Sequence, residues 1–329
     1  MKKFVSALIL ATAVSFSGCG NSTDFSSAAS LPGIAGPGVV VPPVPAPPVA
    51  VDGFFVDAAL GSNTTGSFTG GLPFQTIQAA VAAAPAGSTI TVRPGNYSGT
   101  VSLLDNQILQ GEAGGVRPET TGPIILADGN TVDFMRIDGT TSSAIDAIGQ
   151  ASGTVTNCEI ANITGGVMSG GVDAEESTGT WFVSNNTLDQ IDGIAVDFTA
   201  TGTGIVRAEI VNNTITNSGL SGIGLLSQDT GQLSASIIGN TLVGNGLNAT
   251  VEVIVSDDSV TCLDIEDNTN DDVYAFFESA DPLSLLQIEQ LATLTDAQPG
   301  GAGNTGTVNI GSGIGSNPPT DVINGFCGF

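Results

Sequence analysis

Short apolar runs broken by polar residues recur along most of the chain, each closed by Gly, Asn or Asp. Thr89-Ile90-Thr91-Val92 and Ala235-Ser236-Ile237-Ile238 alternate with period two, the mark of half-buried strands. Turn phrases recur on a longer period: Gly129-Asn130-Thr131, Asn157-Cys158-Glu159, Asn185-Asn186-Thr187, Asn212-Asn213-Thr214, Gly239-Asn240-Thr241 and Asp267-Asn268-Thr269, their central residues 28, 28, 27, 27 and 28 apart. Three residues before these landmarks stand Ala127, Val155, Val183, Ile210, Ile237 and Ile265; two after stand Val132, Ile160, Leu188, Ile215 and Leu242, with Asn270 breaking the column. A second phrase lies between them, as in Ala144-Ile145-Asp146-Ala147 and Gly171-Val172-Asp173-Ala174.

A period near 27–28 residues with several short β-branched runs per copy has room for three strands and three turns, one coil of a solenoid. The predicted fold is all-β, a solenoid of stacked coils. Coils stacked at roughly 4.8 Å place equivalent residues above one another. Asn suits the landmark because it tolerates a left-handed backbone and its amide bonds to copies above and below. The expected ladder is Asn130, Asn186, Asn213, Asn240 and Asn268, with Cys158 at the remaining landmark.

The ends read differently. Lys2 and Lys3 precede an apolar run from Phe4 to Phe16 and then Ser17-Gly18-Cys19, a secretory signal over 1–18. The Cys after Ser-Gly resembles the lipobox of bacterial lipoproteins, which implies a diacylglycerol on Cys19 and a membrane as partner. Residues 19–51, rich in Val and Pro, read as an extended tether; residues 52–273 form the β-helix domain, and 274–329 a C-terminal cap and Gly-rich tail. Asp281-Pro282 reads as a helix start, with Leu283, Leu286, Ile288, Leu291 and Leu294 giving an apolar face that either caps the last coil or docks another protein.

Charge narrows the chemistry. The chain carries 6 basic and 32 acidic residues, a net of −26, and no His. Removing the signal removes both lysines and leaves Arg93, Arg117, Arg136 and Arg207, a side-chain charge of −28. Nucleic acid is excluded as a partner, because its affinity rests on basic groups neutralising phosphates. Ser-His-Asp, Cys-His and zinc-histidine chemistry are excluded with His.

Phe54-Phe55-Val56-Asp57, Gly61-Ser62-Asn63, Pro73 through Ala80 and Gly87 through Tyr97 resemble the opening of pectin-lyase-like right-handed parallel β-helix proteins. The resemblance covers about residues 52 to 270. It implies a capping helix at the Thr-Ile-Gln-Ala-Ala segment, and a lateral groove for an extended chain, most often polysaccharide. Lyases of that superfamily use Arg or Lys as base beside carboxylate-bound calcium; its hydrolases use clustered aspartates. With lysine absent, Arg136 and Arg207 are the candidate bases within the coils.

Asp146 and Asp173 stand one coil apart, with Glu175, Glu176 and Asp197 close by. Stacked carboxylates repel unless solvated or bridged, and their hard oxygens suit calcium. Asp146, Asp173, Glu175 and Asp197 are therefore the candidate calcium ligands, with a solubilising acidic face as the other reading. A second cluster, Asp257-Asp258 and Asp264 through Asp272, imitates part of a calcium loop without its turn glycine. Trp181 can stack on a sugar or pack the core. Cys158 and Cys262 lie four coils, about 19 Å, apart and cannot bond; the expected bridge joins Cys262 to Cys327 and leaves Cys158 a buried thiol. The function expected is an exported, envelope-anchored, surface-exposed binding or structural module, for polysaccharide; the alternative is a polysaccharide lyase or glycoside hydrolase using acidic residues with Arg136 or Arg207.

Overall fold

A computed structural model describes residues 53–66, 72–246, 249–278, 283–289, 291, 294 and 303–312. The expectations for the signal 1–18, for Cys19 and the tether 19–51, and for Asp281, Pro282 and Cys327 lie outside these residues.

The chain is a parallel β-solenoid. Three parallel sheets of ten, nine and eight strands run the length of the stack. Each full coil gives one strand to each sheet in turn, as Gly179–Ser184, Thr187–Ile191 and Val196–Ala200 do. The next coil repeats them as Ile205–Val211, Thr214–Ser218 and Ile223–Ser227. Inward positions form columns of aliphatic side chains. Val155, Val183, Ile210, Ile237 and Ile265 align in the ten-stranded sheet; Ile137, Ile160, Leu188, Ile215 and Leu242 align in the eight-stranded sheet. All of them are buried. Trp181 points inward too, its ring 5.9 Å from that of Phe198. It packs where Gly153, one coil earlier, leaves space: a Cβ there would lie 2.4 Å from the indole. Trp181 is thus a core residue and offers no face to a sugar.

The corner between the ten- and eight-stranded sheets sets the stack. One residue at each turn takes a left-handed backbone: Phe134, Asn157, Asn185, Asn212, Gly239, Asp267 and Gly303, with φ between 54° and 71°. That conformation costs an ordinary L side chain roughly 1–2 kcal/mol and is tolerated best by Gly, Asn and Asp. The residue after it turns its side chain into the stack. Asn186, Asn213, Asn240 and Asn268 are buried there. The Asn213 Oδ1 accepts from both the backbone N–H and Nδ2 of Asn186, at 3.0 Å each. Asn240 does the same for Asn213, and Asn268 for Asn240. Each Nδ2 also donates to a carbonyl of the preceding coil, such as Asn213 to Val183 at 2.8 Å. Cys158 enters the column through its N–H, which donates to Asn186 Oδ1 at 2.8 Å. Asn304 continues the ladder beyond Asn268.

Asn130 stands elsewhere. Its register partners are Gly153 and, through the Ile108–Thr131 pair, Gln107. There it closes a different turn, accepting from Ala127 N and donating to Leu104 O and Gln107 O. The residue equivalent to Cys158 is Met135, because Arg136 pairs with Glu159. This coil is shorter than the later ones, so a constant step of 28 overshoots its corner.

The two ends differ. At the N-terminal end a single seven-residue helix, Ile77–Ala83, starts at Thr76, whose side chain accepts from Ala79 N, and buries Ile77, Ala80 and Val81. The opening phrase serves as a clasp: Arg93 donates to Asp57 Oδ2 at 3.1 Å, and the Tyr97 hydroxyl to Arg93 O at 2.9 Å. At the C-terminal end the described part of the segment expected to be helical is extended. Leu285–Ile288 is a strand paired with Val260–Glu266, and Thr307–Ser312 pairs with Val273–Glu278. Leu286 and Ile288 point inward while Leu285 and Gln287 do not. The apolar spacing read as a helical face is the period-two pattern of another coil.

Replacing Asn213 by Leu removes two donated and two accepted bonds of the ladder and strands buried partners on both neighbouring coils. The expected outcome is a loss of about 2–4 kcal/mol, read as a lower urea unfolding midpoint; an unchanged midpoint would contradict the load assigned to this column.

Candidate functional site

Residues pointing outward from a solenoid form columns as regular as those inside. Three outer faces therefore gather side chains that lie far apart in sequence.

The nine-stranded face carries the acidic residues. Asp146, Asp173 and Asp197 stand in one register column, continued by Gly224 and then Glu252. Ser143 Oγ donates to Asp173 Oδ2 at 2.8 Å, and Ser221 Oγ to Glu252 Oε2 at 3.0 Å. Ile194 lies over the glycine step: a Cβ on Gly224 would come within 2.9 Å of its Cδ1 and 3.3 Å of Asp197 Oδ1. Burial holds the Asp197 carboxyl well above the usual carboxylate range, and the charges of Asp173, Glu175 and Glu252 push the same way. Burial also raises Glu252, against the opposing effect of the Ser221 hydroxyl.

The calcium reading of Asp146, Asp173, Glu175 and Asp197 does not fit this geometry. Asp146, Asp173 and Asp197 form a line with Glu175 beside it in the Asp173 coil, and among the described residues no group of three or more His, Cys, Asp or Glu side chains could hold a metal ion. The second acidic cluster is dispersed as well. Asp257, Asp258, Asp271 and Asp272 are exposed in turns. Asp264 lies on the ten-stranded sheet, its pKa raised to about 6 by burial and by Glu266 and Glu289.

The eight-stranded face carries Arg136. It stands in a column that begins at Asn96 and runs through Glu119, Arg136, Glu159, Thr187, Thr214 and Thr241 to Thr269. Arg136 is tied to Asp138, to Glu159 at 3.0 Å and to Glu119 at 3.3 Å. The hydrogen bond to Asp138, with the charges of Glu159 and Glu119, holds its pKa above the ordinary guanidinium value. A guanidinium so stabilised is the opposite of a proton-abstracting base. Beside it opens a cavity of about 320 Å³ lined by Asn96, Arg117, Glu119, Phe134, Arg136 and Glu159 among others. The Arg117 guanidinium lies over the Phe134 ring, 4.9 Å from its centroid, and its Nε donates to Asn157 O at 3.0 Å.

Arg207 stands on the third face, exposed on the ten-stranded sheet between Thr180 and Ser234. The two candidate bases and the acidic column thus occupy three different sheets, and no arginine adjoins the aspartates. The sequence alone does not single out Arg117, Phe134, Glu119 and Glu159, which coil register brings together at the cavity, nor Glu252, which it sets in the acidic column. Cys158 is a buried free thiol, pushed up to about 12 by burial. Cys262 is disulfide-bonded; Cys327, the partner expected for it, lies outside the described residues.

The acidic column predicts a pH dependence. An Asp whose folded pKa is raised binds its proton in the native state while the unfolded chain has already released it, so stability falls as pH rises above about 4 toward the folded value. Between pH 5 and 7 the thermal midpoint is expected to rise on acidification. Asp197→Asn is expected to raise the midpoint at pH 7 and flatten that slope; a variant less stable than wild type at pH 7 would show that the ionised carboxylate is favourably held.

The chain matches no protein family, no curated protein and no solved structure, and its function is argued from these faces.

Proposed function

We propose that the protein is a non-catalytic binding module for an extended neutral polysaccharide, held at the cell envelope by a lipid on Cys19 with residues 19–51 as its stalk. The observation that carries the reading is the unbroken polar column from Asn96 to Thr269 on the eight-stranded sheet. Seven steps at about 4.8 Å make a track of roughly 34 Å, lined by carboxylates, a guanidinium and hydroxyls that both donate and accept. Thr187, Thr214 and Thr269 are exposed along it. A linear polymer of hydroxyl-bearing rings presents matching groups at regular intervals.

Charge selects a neutral glycan over a uronic-acid polymer. A chain with 32 acidic residues repels polyanions, and the arginines of this face are already paired with carboxylates. The same pairing of Arg136, and the placement of Arg136 and Arg207 on sheets other than that of Asp146, Asp173 and Asp197, support binding without chemistry. The opening that resembles pectin-lyase-like proteins supports a glycan as the ligand class. The basic start at Lys2 and Lys3, the apolar run from Phe4 to Phe16 and Ser17-Gly18-Cys19 support export and lipid anchoring. Among the described residues no helix is long and apolar enough to cross a membrane.

Affinity electrophoresis against neutral and uronic-acid polysaccharides, with product analysis of the same mixtures, tests the reading. Retardation by a neutral polymer without new reducing ends or unsaturated products is expected, and the double variant Thr187→Ala, Thr214→Ala is expected to lose most of it. Unsaturated or hydrolysed products, or retardation by no neutral polymer, would overturn it.

A further inference from the structure

Seven residues occupy the left-handed corner column, and six of them are Asn, Asp or Gly. The seventh is Phe134, with φ 54°. A bulky aromatic at positive φ is a true outlier, and such strain persists only where the surroundings hold it in place. The surroundings here are built for it. Gly111 occupies the same corner one coil earlier, next to the Gln110–Asp133 pair. A Cβ on Gly111 would lie 2.2 Å from the Phe134 carbonyl oxygen and 3.1 Å from its ring Cδ1. On the other side Arg117 spreads its guanidinium over the ring, and it is fixed in turn by Asn157 O and by Glu159 at 3.9 Å.

Phe134 is not spent on the core. It keeps part of its surface and lines the cavity together with Arg117, Arg136, Glu119, Glu159 and Asn96. An apolar ring with a flat guanidinium stacked on it, rimmed by carboxylates and an amide, suits one kind of small group. A pyranose has a C–H face for the outer guanidinium plane and the exposed edge of the ring beneath it, and equatorial hydroxyls for Glu119, Glu159 and Asn96. The cavity opens on the N-terminal steps of the polar column, so a ring bound here is continuous with a chain lying along the threonines.

We infer that Phe134, with Arg117 stacked on it, is the specificity-determining platform of a single-pyranose subsite at the head of the track. This rests on the glycan-binding reading and adds to it the residue that selects a ring over an open polyol. Backbone strain at the corner is retained because the ring is needed in the cavity.

Phe134→Asn tests the inference, since Asn is the residue the fold uses at this corner. Two quantities are measured: the thermal midpoint, and affinity by calorimetry and ring-proton NMR for methyl glucoside, sorbitol and a neutral polysaccharide. The expected result is a midpoint raised by a few degrees, with affinity for methyl glucoside and for the polymer reduced at least tenfold. In wild type, methyl glucoside shifts the Phe134 ring protons and sorbitol does not. Equal binding of the polymer by wild type and variant would overturn the platform while leaving the track reading intact. A wild type that binds neither polymer nor methyl glucoside would overturn both. A variant with a lowered midpoint would overturn the inference by showing that Phe134 serves packing. Thr214→Ala, expected to weaken the polymer and leave methyl glucoside unchanged, separates the subsite from the rest of the track.

Discussion

A buried amide that bonds to its own copy one coil away is the interaction on which this molecule is built. A solenoid has to keep every coil in register with the next, and aliphatic columns alone allow sliding, because one Ile fits against another over a range of positions. The amide of Asn213 does not slide: its oxygen takes two hydrogens from Asn186 and its nitrogen reaches Asn240 and Val183. An unmet bond in that buried position costs more than a met one contributes. The ladder therefore fixes where each coil turns, and the left-handed residue before it bends the chain from one sheet to the next.

Once the corners are fixed, the outer faces follow. Residues distant in sequence become neighbours one strand spacing apart, and whatever the chain places at equivalent positions is stacked. On the nine-stranded face that stacking sets Asp146, Asp173 and Asp197 in a line, where burial and the neighbouring carboxylates raise the pKa of Asp197. On the eight-stranded face it sets opposite charges beside one another, Glu119, Arg136 and Glu159, and then a run of threonines. The first face spends stability; the second is satisfied and open to solvent. This contrast is the physical ground for placing ligand binding on the eight-stranded face.

The later coils were legible in the sequence, and the early coils and the last were not. From Cys158 to Asn268 the steps stay at 27 or 28, so the phrases Asn-Asn-Thr located the corner, the ladder and the Val183-to-Ile265 column correctly. Near Asn130 the coil is shorter, and a similar turn phrase at a different corner took the place of the true equivalent, Met135, which carries no turn signature at all. The segment from Leu283 to Leu294 was misread because Leu286 and Ile288 alternate over too few residues to separate period two from a helical spacing. The stacked aspartates were visible, whereas Glu252 was hidden by the glycine between it and Asp197. The cavity was illegible altogether: Arg117, Phe134 and Glu159 meet only through coil register, and the left-handed backbone of Phe134 contradicts what its side chain predicts.

Hydrogen exchange at the corner tests the central claim most directly. The backbone N–H groups of Asn186, Asn213, Asn240 and Asn268 donate to the side chain of the next coil and to no strand partner. Were they ordinary turn amides they would exchange through local fraying. The account predicts protection equal to that of the most slowly exchanging core strands, with exchange only through global unfolding and the same denaturant dependence. Exchange orders of magnitude faster than in the flanking strands would contradict it, because the ladder would then be a consequence of the stack and not the constraint that fixes it.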